Sequence, residues 1–138
     1  MTTLKSSTEA VYDFYLDNFT GVSAANMVMG RNTTYTPSSQ TAYVRIAVLP
    51  VTETQISMGT AKDYREEGLI VFDVYAPANK GDSAAKVLVQ ESDNDLRNQT
   101  IGGDLKIRGE FGFTDFGVEG DFYHLQRTYS YTRDVLYS

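Results

Sequence analysis

Asp73 lies in the middle of the apolar run Gly68–Pro77, and Arg45 lies in the middle of Tyr43–Pro50. A base and an acid at mid-strand positions form a cross-strand ion pair when their strands are neighbours. The acid becomes a candidate catalytic group only if it meets a second acid or an imidazole with a defined role. The chain has a single histidine, His124, so a small-molecule enzyme built on this sequence would work through Asp73 and His124. His124 falls on the polar side of an alternating strand, where an imidazole is ordinarily a surface group. One histidine and no cysteine exclude a multi-His metal site within one chain, thiolate zinc sites, cysteine nucleophiles and disulfides. Adjacent Glu66 and Glu67 would face opposite sides of a strand and cannot act as a carboxylate pair. Asp93 and Asp95 lack the glycine and glutamate of a calcium loop. The glycines of 102–120 match neither dinucleotide nor phosphate-loop spacing and read as strand bends. The residues therefore specify no catalytic centre, metal site or cofactor.

The elements that carry these side chains read clearly. Ser6 and Glu9 have capping-box spacing, which predicts a helix from about residue 7 to Gly21 with Val11, Phe14, Tyr15 and Phe19 inward. Val28 and Met29 suggest a short strand, and 31–41 a loop. Residues 42–50 alternate, with Val44, Ile46 and Val48 on one face and Tyr43, Arg45, Ala47 and Leu49 on the other. Residues 51–59 alternate again. The charged stretch 60–67 suits the exposed end of a hairpin or a long loop. Residues 68–77 are apolar on both faces, which predicts a central strand covered on both sides. A second helix is expected over 83–97, with Ala84, Ala85, Leu88, Val89, Ser92 and Leu96 inward. Residues 105–116 suit two short strands or one strand bent at glycines. Residues 122–133 alternate as a half-exposed strand. The order predicts an α+β fold, with a mainly antiparallel (mixed), twisted sheet, two helices on one side and a long hairpin arm.

The chain has 138 residues, 41% of them hydrophobic, which suits one folded domain. Its net charge is −6 and no basic stripe is visible, so a nucleic-acid-gripping module is disfavoured, although an acidic wall would let DNA slide past. The opening residues have no apolar stretch and no run reaches membrane-spanning length, so the expectation is a cytoplasmic product without membrane contact. Two acid sets are conspicuous. Glu9, Asp13 and Asp17 recur every four residues on one helix face. Glu110, Asp115, Glu119 and Asp121 share a base-free segment with Phe111, Phe113, Phe116 and Phe122. Each set is a solvated face, or else an assembly surface or channel wall.

The motifs resemble a known family in their order. "NTTYTP" (32–37) is followed by "YVRIAVLP" (43–50), a charged stretch after Gly59, "GLIVFDVYAP" (68–77), and Gly81 before an Ala-bearing helix. This is similar to tailed-bacteriophage tail terminator (tail completion) proteins of the lambda type. The likeness covers about residues 8–97, with the C-terminal part matching in pattern only. It implies a non-enzymatic virion protein, made in the host cytoplasm, with a fold like that of tail-tube subunits. It implies a homo-oligomer, a hexameric ring, that caps the tail tube protein, ends its polymerisation and joins a head-side connector or stopper. Genomic DNA would pass through without sequence-specific binding. A sibling tail-tube or head–tail stopper role shares these features. Within that frame Ile56, Met58, Lys62, Tyr64 and Arg65 of the 52–67 arm are the candidate subunit or tube interface, and the two acid sets the candidate lumen or assembly surface.

Overall fold

The computed structural model describes residues 4–30, 34–36, 41–55, 64–78, 83–97, 99–101 and 104–135. The elements run α1 (Leu4–Asn18), β1 (Met27–Met29), β2 (Tyr43–Gln55), β3 (Tyr64–Pro77), α2 (Ser83–Leu96), β4 (Thr100–Ile101), β5 (Leu105–Glu119) and β6 (Phe122–Val135). They form one six-stranded sheet in the order β1-β2-β3-β6-β5-β4. Only β1–β2 is parallel, and the remaining pairs are antiparallel. This is the expected α+β architecture with a mixed sheet.

β3 is a central strand because its apolar residues suit a buried ladder on both sides. It pairs with β2 from Tyr43↔Tyr75 to Gln55↔Tyr64 and with β6 from Tyr64↔Val135 to Pro77↔Phe122. Strand pairing thus extends through 64–67, the stretch whose charge suggested a loop. Glu66 stands in phase with Ile70, Phe72 and Val74 on the core face and is fully buried.

Both helices pack on that face. Val11 and Tyr15 of α1, Phe19 just after it, and Ala85, Leu88, Val89 and Leu96 of α2 meet Val44, Ile46, Ile70, Phe72, Val74, Leu125, Tyr129 and Tyr131 in one core. The Tyr15 ring lies parallel to Phe72 with centroids 5.4 Å apart, and Phe19 meets Phe72 edge-on at 5.3 Å. Each such ring removes apolar area worth about 2–3 kcal/mol. Gly68 lets Tyr131 cross close to the backbone, since a Cβ there would sit 2.6 Å from the Leu49 carbonyl oxygen and 2.7 Å from the Tyr131 ring.

Two polar networks tie helices to sheet beneath this core. Ser7 Oγ donates to Glu66 Oε2 (3.0 Å), Tyr131 donates to Glu66 Oε1 (2.6 Å), and Arg133 Nη1 donates to Ser7 Oγ (2.9 Å). Arg133 Nε lies 3.0 Å from Asp104 Oδ1 as an ion pair, without the alignment of a hydrogen bond. Under α2, Asp93 accepts from Arg127 Nε and Nη2 at 3.0 and 2.7 Å and from Tyr129 at 2.5 Å. Ser92 links the Tyr15 and Tyr129 hydroxyls at 2.9 Å each. Burial pushes the three hydroxyls of Tyr15, Tyr129 and Tyr131 far above the ordinary tyrosine value, so they act only as protonated hydrogen-bonding groups.

α1 begins at Leu4, earlier than the capping-box spacing suggests. Ser7 is used as an inward hydrogen-bond donor one turn into the helix. β5 is one bent strand with register shifts between Ile107/Gly109, Glu110/Gly112 and Asp115/Gly117. It turns into β6 through Gly120-Asp121, with Gly120 at φ 61° as a two-residue hairpin loop favours.

Candidate functional site

The face of the sheet opposite the helices carries the residues with chemical potential. Alternation sends Tyr43, Arg45 and Ala47 of β2, Val71, Asp73 and Tyr75 of β3, and His124 and Gln126 of β6 to that side. Among the described residues no helix covers it, so β3 has a helical layer on one face only. Val71 and Ala47 are nevertheless buried there, screened by neighbouring side chains rather than by a second layer.

A row of rings runs across four strands on this face. Tyr35 lies 4.8 Å from Tyr43, Tyr43 stacks on Tyr75 at 4.6 Å, and Tyr75 stacks on His124 at 4.3 Å. Phe116 of β5 then stacks on the other side of His124 at 4.5 Å. Directly opposed positions bring Tyr43, Tyr75 and His124 together, because Tyr43↔Tyr75 and Tyr75↔His124 are register pairs. Phe116 joins through a bulge. Asp115 pairs with Leu125 and Gly117 with His124, and the extra residue between them is aimed onto the imidazole. Asp115 holds that bulge: its Oδ1 accepts the Gly117 N–H at 2.8 Å and its Oδ2 accepts the Tyr123 hydroxyl at 2.5 Å.

His124 is 7% exposed, where alternation alone suggested a surface group. Its Nε2 lies 2.9 Å from Asp73 Oδ1 and its Nδ1 lies 3.3 Å from Glu119 Oε1. Gln126 Nε2 also donates to Asp73 Oδ1 at 2.9 Å. Burial lowers the imidazole pKa, but hydrogen bonds to Asp73 and Glu119 and the charges of both carboxylates outweigh it, so the net shift is upward. Carboxylates only accept, so both contacts are satisfied together by the doubly protonated ring. A general base needs a free ring nitrogen, and this geometry directs both at carboxylates. Tyr75 is pushed up to about 12, first by burial and then by the charge of Asp73.

Arg45 stands opposite Asp73 in the β2–β3 register. Its Nη1 donates to the Gly30 carbonyl at 2.7 Å and so also fixes the end of β1. Alternation within each strand does not by itself bring His124 and Gln126 onto Asp73; the β3–β6 register does. The signal was available in the shared phase of Tyr43, Tyr75 and His124.

The other candidate residues that are described lie on α1, β3, β5 and the β5–β6 loop. Glu9, Asp13 and Asp17 form an exposed stripe on α1. Asp115 and Glu119 are committed to the contacts above, Asp121 is exposed in the hairpin loop, and Glu110 lies on β5 with its side chain outside the described residues. Of the arm residues, Ile56, Met58 and Lys62 lie outside the described residues, and Tyr64 is described in its backbone only. Arg65 forms a two-pronged pair with Asp134, at 2.7 and 3.3 Å. A groove of about 630 Å³ lies beside it, with Lys106, Arg108, Glu67 and Asp104 among its walls. Its charges are of both signs, which defines no anion or cation site. Among the described residues no cluster of three metal-ligating groups is found, and no helix is long and apolar enough to cross a membrane.

No protein-family profile and no curated protein matches the chain. Solved structures do match. One is similar over 100% of this chain and 99% of its own, with a TM-score of 0.70 at 18% identity, and carries no functional name. At that identity the likeness shows the fold alone.

Proposed function

We propose that this chain is a structural protein of a phage neck or tail. It forms a ring, hexameric by the resemblance, that caps the tail tube, ends its polymerisation and presents a joining surface to the head-side connector. DNA passes through the ring, and the protein resides in the virion. The observation that carries the reading is the pair of unlike sheet edges, each without a further strand among the described residues. β1 is a three-residue parallel strand. β5 has no strand on its outer side beyond residue 107 among the described residues. Two different edges suit head-to-tail association, which closes into a ring when the rotation per subunit is right. The family-like motifs support the same reading: "YVRIAVLP" and "GLIVFDVYAP" lie on the paired strands β2 and β3, next to α2. The commitment of both His124 nitrogens supports a non-enzymatic role over an Asp73/His124 enzyme. The acidic stripe of α1 is the candidate lumen or assembly surface, and the 52–67 arm the candidate contact with a neighbour or the tube.

Electron microscopy of the purified protein, alone and with tail tubes, tests this. Discrete rings seated at one tube end are expected. Open-ended tubes would instead make it a tube subunit, binding only to the head connector a stopper, and a monomer indifferent to both would refute the reading.

A further inference from the structure

We propose that His124 is a proton-operated clasp that fastens the β5–β6 hairpin tip onto the open face of the sheet. The proposal stands on geometry and does not depend on the ring reading. The imidazole touches both sides of the structure it joins. On the sheet side it stacks on Tyr75 and meets Asp73. On the tip side it stacks under Phe116 and meets Glu119. Phe116 is 46% exposed, so this contact is much of what holds its ring down. Asp115 fixes the bulge itself, through the Gly117 N–H and the Tyr123 hydroxyl, so His124 governs how Phe116 and Glu119 seat on the sheet rather than whether the hairpin forms.

The proton decides whether the clasp holds. The imidazolium donates to both carboxylates and places a positive charge between two aromatic faces, a favourable cation–π arrangement. Neutral imidazole has one N–H, so one carboxylate loses its donor and the cation–π attraction disappears. Glu119 is the more solvated partner, with its side chain 52% exposed against 14% for Asp73, so Glu119 is the one released. The charged and titratable neighbours are Tyr43 and Arg45 on β2, Asp73 and Tyr75 on β3, Asp115 and Glu119 on β5, and Asp121 in the hairpin loop. Burial opposes the imidazolium, while the hydrogen bonds and charges of Asp73 and Glu119 favour it. The folded pKa is raised above the ordinary 6.5. The clasp is therefore fully closed below pH 6.5 and opens as pH rises through that higher value.

The single histidine gives NMR an unambiguous probe. The imidazole carbon-bound protons and the backbone amides of 113–120 are followed against pH. The expected result is a His124 midpoint above 6.5, with the Phe116 and Gly117 signals moving along the same curve and the tip gaining fast motion on the alkaline side. Glu119→Gln, at an exposed position, should lower the midpoint. His124→Gln should abolish the pH response of the tip. A His124 midpoint at or below 6.5, tip signals that follow a different midpoint, or an unchanged midpoint in Glu119→Gln would each overturn the proposal. Should His124→Gln not fold, the wild-type and Glu119→Gln titrations still decide.

Discussion

Replacing Asp93 by alanine removes a carboxylate that is 3% exposed and accepts three hydrogen bonds, two from Arg127 and one from Tyr129. Breaking a buried ion pair by deleting one partner costs about 3–5 kcal/mol, because the remaining charge stays desolvated. The Arg127 side chain is 20% exposed, so water reaches part of the guanidinium and the lower end applies, about 3 kcal/mol. With a urea slope of about 1.5 kcal/mol per molar, the unfolding midpoint should fall by about 2 M. The assay is urea unfolding followed by circular dichroism at fixed protein concentration, so that any self-association is held constant. Arg127→Met in the same series completes a double-mutant cycle. The double variant should cost much less than the sum of the singles, since it leaves no desolvated charge behind. A midpoint shift below about 0.5 M for Asp93→Ala, or additive costs, would refute the view that this network anchors α2 to β6.

Other outcomes follow from the same reasoning. Tyr131→Phe withdraws the donor to buried Glu66 and should destabilise by about 2 kcal/mol in thermal unfolding, with no change in secondary structure. Gly68→Ala should cost more than about 2 kcal/mol because its methyl group meets a backbone carbonyl, whereas Gly112→Ala, with open space around it, should lie within about 1 kcal/mol of wild type. The Arg65 guanidinium beside Asp134 holds that carboxyl below its ordinary 3.8. The pair's contribution is present above 3.8 and lost as pH falls through the lowered value. Both side chains are well exposed, so Arg65→Ala should raise the Asp134 midpoint in NMR titration with little loss of melting temperature. Deleting 57–62 should leave the β2–β3 pairing through Gln55↔Tyr64 in place and abolish tube capping, checked by circular dichroism and by electron microscopy with tubes.

What the sequence revealed depends on how strongly each segment's own pattern dictates its environment. β3 was legible because an apolar run flanked by glycine and proline leaves few alternatives. Its pairing with β2 meets the condition set for Arg45 and Asp73 to be cross-strand neighbours. The inward face of α2 was legible from its spacing, yet Asp93 was not, although it sits four residues after Val89 and three before Leu96 on the same arc. Its charge suggested solvent, and the partners that make burial tolerable include Arg127 and Tyr129 on β6, more than thirty positions away. Glu66 misled in the same manner, since its partners lie on α1 and β6. His124 was hidden by a long-range effect of another kind: alternation predicted its strand face correctly, but not that a bulge in β5 would bring Phe116 over it.

The unequal lengths of the last two long strands have a mechanical consequence. β5 uses the fifteen residues Leu105–Glu119 to run beside the twelve residues Phe122–Arg133 of β6. Three surplus residues of extended chain are roughly 10 Å of extra contour. β5 therefore behaves like the outer rail of a curved track: it can stay coupled to the inner rail only if the track bends. Curvature is thus written into the chain as a count of residues, not left to the softness of the sheet. A straight strand of uniform pitch would fall out of step within a few residues along this rail.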